Sequence, residues 1–131
     1  MPTLSAQEIQ SGLSQFIGSE EFYRISAFTP WLIATEGVKW LADNAECWWL
    51  VDAIASHQLA CRKDEALKFM QFWTLKTDLA VGTGVLTCER DAGDIAITQH
   101  IDYTDFPLPE IRIWVEGVWG QQMTMMLPGE R

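Results

Sequence analysis

The hydrophobic period of this chain changes near residue 69, and no other feature constrains its fold as strongly. Before that point apolar residues recur at helical spacing. After it, aromatic and β-branched residues come in short alternating runs separated by glycine and proline. Helices first and strands second is an α+β order. With 131 residues the chain is long enough for one domain, 1–131, with one real core and no need of a metal or disulfide staple.

The helical half has clear punctuation. Ser5 followed by Glu8 forms a capping box, and Ile9, Leu13 and Phe16 then share a face, so a helix is expected over 6–16 with Gly18 as its stop. Residues 19–24 suit a single helical turn capped by Ser19. Residues 25–34, with Pro30 and Trp31-Leu32-Ile33-Ala34, suit a loop entering a short extended piece. Thr35 is an N-cap, and Asp43-Asn44 is a weak breaker, which predicts either a kink or two helices, about 36–44 and 46–59. The second of these is apolar nearly all round and should be buried.

In the strand half, extended segments are expected at 69–76, 85–90, 94–102, 111–116 and 123–127. A hairpin turning on Ala92-Gly93 sets residue 88 against 97 and residue 85 against 100. Cys88 then shares the buried side with Leu86, Ile95 and Ile97, while Glu89, Thr98, His100 and Asp102 take the other; a turn one residue longer or shorter would reverse the relation. Pro107 and Pro109 make residues 103–110 a rigid connection. The expected architecture is N-terminal helices packed on one face of a four- to five-stranded antiparallel meander.

Charge narrows the function classes. Eighteen acids against nine bases give a net charge of −9, which opposes nucleic-acid binding and an anionic membrane surface. Direct nucleic-acid binding and membrane association are therefore not expected, whereas a protein partner or self-association is. The three cysteines, at positions 47, 61 and 88, match no CxxC spacing and suit reduced, buried thiols in the cytoplasm. No phosphate-binding glycine loop, GxSxG or HExxH occurs, two histidines are too few for a patterned zinc site, and no cofactor is implied.

The residue most suggestive of chemistry is Asp52, inside Trp48-Trp49-Leu50-Val51-Asp52 with Ser56 and His57 following. Asp52 and Ser56, four apart, share a helical face, and His57 lies about 100° away, so the three do not form a nucleophile, base and orienting group. A structural role, with a backbone N–H, Arg24 or Lys39 as partner, competes with a pocket between helices and sheet lined by Tyr23, Arg24, Trp49 and Asp52. Most of the seven tryptophans belong to the core on this reading, with Trp119 the best exposed contact.

Gly18-Ser-Glu-Glu-Phe-Tyr-Arg24, Thr35-Glu-Gly-Val-Lys-Trp-Leu-Ala42, Trp49-Leu-Val-Asp-Ala-Ile-Ala-Ser56, Tyr103-Thr-Asp-Phe-Pro-Leu108 and Met126-Leu-Pro128 resemble an uncharacterised family of small bacterial proteins, often plasmid- or phage-borne. The resemblance implies a stand-alone domain and a mobile-element accessory role, and carries over no catalytic residue. Glu36 and Ser19 replace the family's Asp and Thr with the chemistry kept. The final Pro-Gly-Glu-Arg departs from the family's Ser-Glu and aromatic, so no terminal contact is carried over. The function expected is a binding or interaction module rather than an enzyme. Its rivals are a small enzyme or ligand-binding domain with a pocket near Asp52, and an acidic DNA-mimicking decoy.

Overall fold

The capping box forms as its residues dictate: the Ser5 hydroxyl accepts the Glu8 N–H at 3.1 Å, and the Glu8 carboxylate accepts the Ser5 N–H at 3.1 Å. These bonds start α1, Ala6–Leu13, in a computed structural model that describes residues 4–18, 21–117 and 122–131. The helix stops at Ser14, short of the expected residue 16, because the Ser14 hydroxyl turns back onto the Ser11 carbonyl at 2.7 Å. Phe16, beyond the helix, packs its ring 5.8 Å from that of Trp40.

Two short strands follow. β1 is Phe22–Arg24 and β2 is Leu32–Thr35. The helical turn expected over 19–24 is therefore corrected for its last three residues. Pairing of Tyr23 with Ala34 and of Arg24 with Ile33 outweighs the local helical tendency of the charged segment. Ser19 and Trp119 lie outside the described residues. Thr35 caps α2, Glu36–Asn44, and α3 runs Trp48–Ser56 with a further turn α4, Gln58–Cys61. The break falls on Glu46, at φ +51°, with the Cys47 N–H returning to the Ala42 carbonyl at 3.0 Å. That closes a Schellman-type cap in which Glu46 takes the place usual for glycine.

The sheet has seven strands in the order β1-β2-β7-β6-β3-β4-β5, where β3 is Met70–Asp78, β4 Thr83–Asp91, β5 Asp94–Ile101, β6 Glu110–Gly117 and β7 Met123–Met126. The expectation of a four- or five-stranded antiparallel meander is thus too small and too simple. β2 joins β7 in parallel, and β6 returns across the β3–β4 end to lie beside β3 rather than β5. A pairing between residues about 90 apart leaves no local pattern to read. The architecture remains α+β, with antiparallel pairs dominant.

The hairpin register is as expected at Val85↔His100 and Cys88↔Ile97. Ile95 is a correction. A bulge lets Ile95 oppose Glu89, which turns its side chain away from Cys88 and leaves it 55% exposed. Along β3, β4 and β6 the inward residues Trp73, Leu75, Leu86, Cys88, Ile113 and Val115 join Val38, Leu41, Leu50, Val51 and Ile54 of the helices in one hydrophobic cluster.

A polar knot lies within that core. Gln58 and Gln71 exchange amide hydrogen bonds at 2.8 and 2.9 Å, and their second N–H groups reach the Ile54 and Leu67 carbonyls at 3.1 and 3.0 Å. The Trp73 indole N–H donates to Gln71 Oε1 at 2.8 Å. Every amide donor and acceptor of the pair is used, which is what makes their burial tolerable.

The last turn closes the fold at the other end. Pro128–Glu130 is a 3-10 turn that brings the Glu130 carboxylate to the start of α2, where it accepts from Thr35 Oγ1 at 2.6 Å and Gly37 N–H at 3.1 Å. Despite the departure in its final residues, the chain makes a terminal contact.

Candidate functional site

The four residues singled out from the sequence occupy separate places. Asp52 is exposed, as is Ser56, so the costly buried carboxylate expected on α3 does not exist. A stripe one residue wide is enough to keep Asp52 in water on a helix whose remaining faces are apolar. Neither expected cation pairs with it: Lys39 bonds Asp43 at 2.7 Å and lies over the Tyr23 ring, while Arg24 is exposed on β1. Tyr23 is half-buried and donates to Glu21 at 3.0 Å, a bond that raises its phenol pKa. Being consecutive on a strand, Tyr23 and Arg24 point to opposite faces. Trp49 is half-buried against the core.

His57 leaves the Asp52–Ser56 face, as helical geometry requires. Its Nε2 lies 2.7 Å from Gln99 Oε1 and its ring stacks on Trp73 with centroids 5.6 Å apart. Its role is to fasten the end of α3 to β5. The three thiols are buried, and burial pushes Cys47 and Cys61 up to about 12 and Cys88 upward too. They are therefore inert hydrophobes rather than nucleophiles. Among the described residues no three His, Cys, Asp or Glu side chains gather where they could share an ion.

A different site stands out, on the sheet face opposite the helices. Outward residues of β3, β4 and β6 form a concavity of about 590 Å³ whose lining includes Phe72, Thr74, Thr87, Glu89, Arg112 and Trp114, with no helical residue among them. Strand alternation produces it: the inward set, Trp73-Leu75 and Ile113-Val115, goes to the core, so Phe72, Thr74, Arg112 and Trp114 must face out. Phe72 and Trp114 are directly paired across β3 and β6, with rings edge-to-face at 5.3 Å and 86°. That geometry suits the ring quadrupoles and holds the floor rigid.

Charges frame this floor. Arg131 forks onto Glu116 with two bonds of 3.0 Å, and its guanidinium lies 5.9 Å from the Trp114 ring. Arg112 approaches Glu110 at 3.4 Å. At the far rim Glu89 accepts the Gly93 N–H at 2.6 Å, fixing the β4–β5 turn where Gly93 takes φ +83°. The arrangement offers aromatic surface, two threonine hydroxyls and charges of both signs. Among its described lining residues, no nucleophile is hydrogen-bonded to a base.

Residues 7–131 match the model described as Family of unknown function (DUF6876). The chain belongs to this family. The match covers all of the helices but Ala6, the whole sheet and the final turn, so both the concavity and the Glu130 contact lie within the family domain. No curated protein and no solved structure matches the chain. Among the described residues no helix is long and apolar enough to cross a membrane.

The concavity was legible only indirectly. Aromatic residues at the outward phase of two strands, Phe72 and Trp114, are the signal, but it becomes readable only once β3 and β6 are known to be neighbours.

Proposed function

We propose that the chain is a single-domain, non-enzymatic binding module that takes a segment of a partner protein on the concave sheet face. The paired Phe72 and Trp114, held rigid on a floor that no helix covers, carry this reading. Rigid aromatics lose little entropy on burial and dominate contact energies at interfaces. The net charge of −9 favours a basic partner. Three buried thiols suit a reducing compartment such as the cytoplasm.

The rival of an enzyme or ligand pocket around Tyr23, Arg24, Trp49 and Asp52 draws no support from an exposed Asp52. DNA mimicry draws none from carboxylates distributed among local cations, such as Asp43 on Lys39, Asp64 and Asp94 on Arg90, and Glu116 on Arg131.

The test is affinity capture from a lysate of the source organism with three baits: the wild type, Phe72→Ala/Trp114→Ala, and Asp52→Ala on the helical face. A protein retained by the wild type and Asp52→Ala, and lost by a double variant that circular dichroism shows to be folded, supports the reading. The same captured set with all three baits refutes it.

A further inference from the structure

The edge of the sheet points to a second interaction surface, distinct from the concavity. β5 is the last strand in the order, and among the described residues no backbone bond beyond its pairing with β4 involves residues 95–101. One side of its N–H and C=O ladder is therefore open. The other edge strand, β1, has only three residues and offers little to pair with. The bulge between Ile95 and Ile97 bends the first part of β5, which confines the regular edge to Ile97-Thr98-Gln99-His100-Ile101. That stretch holds no Pro, Lys, Asp or Glu, the residues natural edges use to repel a second strand.

Its order is also self-complementary. In an antiparallel pair with the two-fold axis at Gln99, Ile97 opposes the second copy's Ile101 and Thr98 opposes its His100. Gln99 opposes itself. Apolar meets apolar, polar meets polar, and no carboxylate faces another within the paired stretch. Ile97 and Ile101 already pack against the core on the helical side, while Thr98 and His100 are exposed on the other. We infer that two copies of this chain associate through residues 97–101 of β5, antiparallel about Gln99, into one continuous sheet. The two-fold axis runs perpendicular to that sheet, so both concavities open on the same side, suited to a partner with two binding segments.

Five residues a side make a small interface, so the expected dissociation constant is about tens of micromolar. Each copy carries −9, so added salt should strengthen the pairing by screening the repulsion. Sedimentation equilibrium up to about 100 μM chain tests this, since such weak interfaces populate in that range. The wild type should approach twice the chain mass, more so at higher salt. Thr98→Lys, a change at an exposed position whose fold is checked by the far-ultraviolet spectrum, should weaken association about tenfold or more. A second pair of variants reads the register. Thr98→Cys/His100→Cys should form a covalent dimer on mild oxidation, because each new thiol opposes its counterpart across the axis. Thr98→Cys alone, two residues out of step with its copy, should not. A wild type that stays monomeric at high salt, or a dimer indifferent to Thr98→Lys, overturns the inference. Equal cross-linking by the single variant overturns the register.

Discussion

Replacing Gln71 by leucine tests whether the Gln58–Gln71 knot is one unit or a sum of separate bonds. The substitution removes four hydrogen bonds: two to Gln58, one to the Leu67 carbonyl and one from Trp73 Nε1. It leaves one Gln58 N–H, Gln58 Oε1, the Trp73 N–H and the Leu67 carbonyl without those partners, where Gln58 and Trp73 are each 1% exposed. At about 1–3 kcal/mol for each stranded group, less what relaxation and the buried leucine recover, the loss should be about 3–5 kcal/mol. Gln58→Leu strands less, because Gln71 Oε1 keeps Trp73 and its second N–H keeps Leu67, so about 1–3 kcal/mol is expected. The double variant strands the Trp73 N–H and the Leu67 carbonyl, while the Ile54 carbonyl loses Gln58 but keeps the His57 N–H at 3.2 Å. Its loss should therefore be about 2–4 kcal/mol, below the sum of the singles by roughly 2–4 kcal/mol. Urea unfolding followed by tryptophan fluorescence and circular dichroism measures all four stabilities. Losses that add to within about 0.5 kcal/mol, or a Gln71→Leu cost below about 1 kcal/mol, would refute the reasoning.

Two other contacts make separate predictions. The Arg90 hydrogen bond, supported by the Leu67 and Ala66 N–H groups, holds the Asp64 carboxyl well below the usual carboxylate range. A depressed folded pKa means stability that is full above the unfolded value of about 3.9 and is lost as pH falls through the folded one. Asp64→Asn should therefore be less stable than the wild type at neutral pH, and the gap should close as unfolding is measured from pH 5 downward; a gap that widens in acid contradicts this. At the start of α2, a Cβ on Gly37 would lie 2.6 Å from Glu130 Oε1 and 2.8 Å from Leu127 Cδ1. Gly37→Ala should cost about 1–3 kcal/mol in urea unfolding, and less in a Glu130→Ala background, where only the Leu127 methyl has to give way.

What could be read from the sequence was whatever depends on neighbours in the chain. The Ser5–Glu8 box, the Thr35 cap, the division of 36–59 into two helices and the Val85↔His100 register all follow from contacts across a few residues or one tight turn. Misreadings gather where a distant partner decides. Phe22–Arg24 is a strand because Ile33 and Ala34 come back beside it, and β2 lies parallel to β7 from the far end of the chain. Ile95 changes face because the bulge that moves it is too short to leave a mark in the pattern of alternation.

The burial expected of Asp52 fails for a related reason. Asp52 drew notice because a charge among tryptophans is conspicuous along the sequence, but burial is set by direction, and that direction is toward water. Gln58 and Gln71 looked ordinary, yet each occupies an inward phase: Gln58 follows Ile54 by four on the helical side, and Gln71 alternates with Trp73 and Leu75. A polar residue at an inward phase signals a buried network more reliably than a charged one near apolar neighbours. The same phase argument, turned over, finds the concavity. Large aromatic residues at an outward phase, Phe72 and Trp114, mean a sheet face that keeps apolar surface where no helix covers it. Leaving such a surface open has a cost in solubility, which the repulsion between copies that each carry −9 offsets.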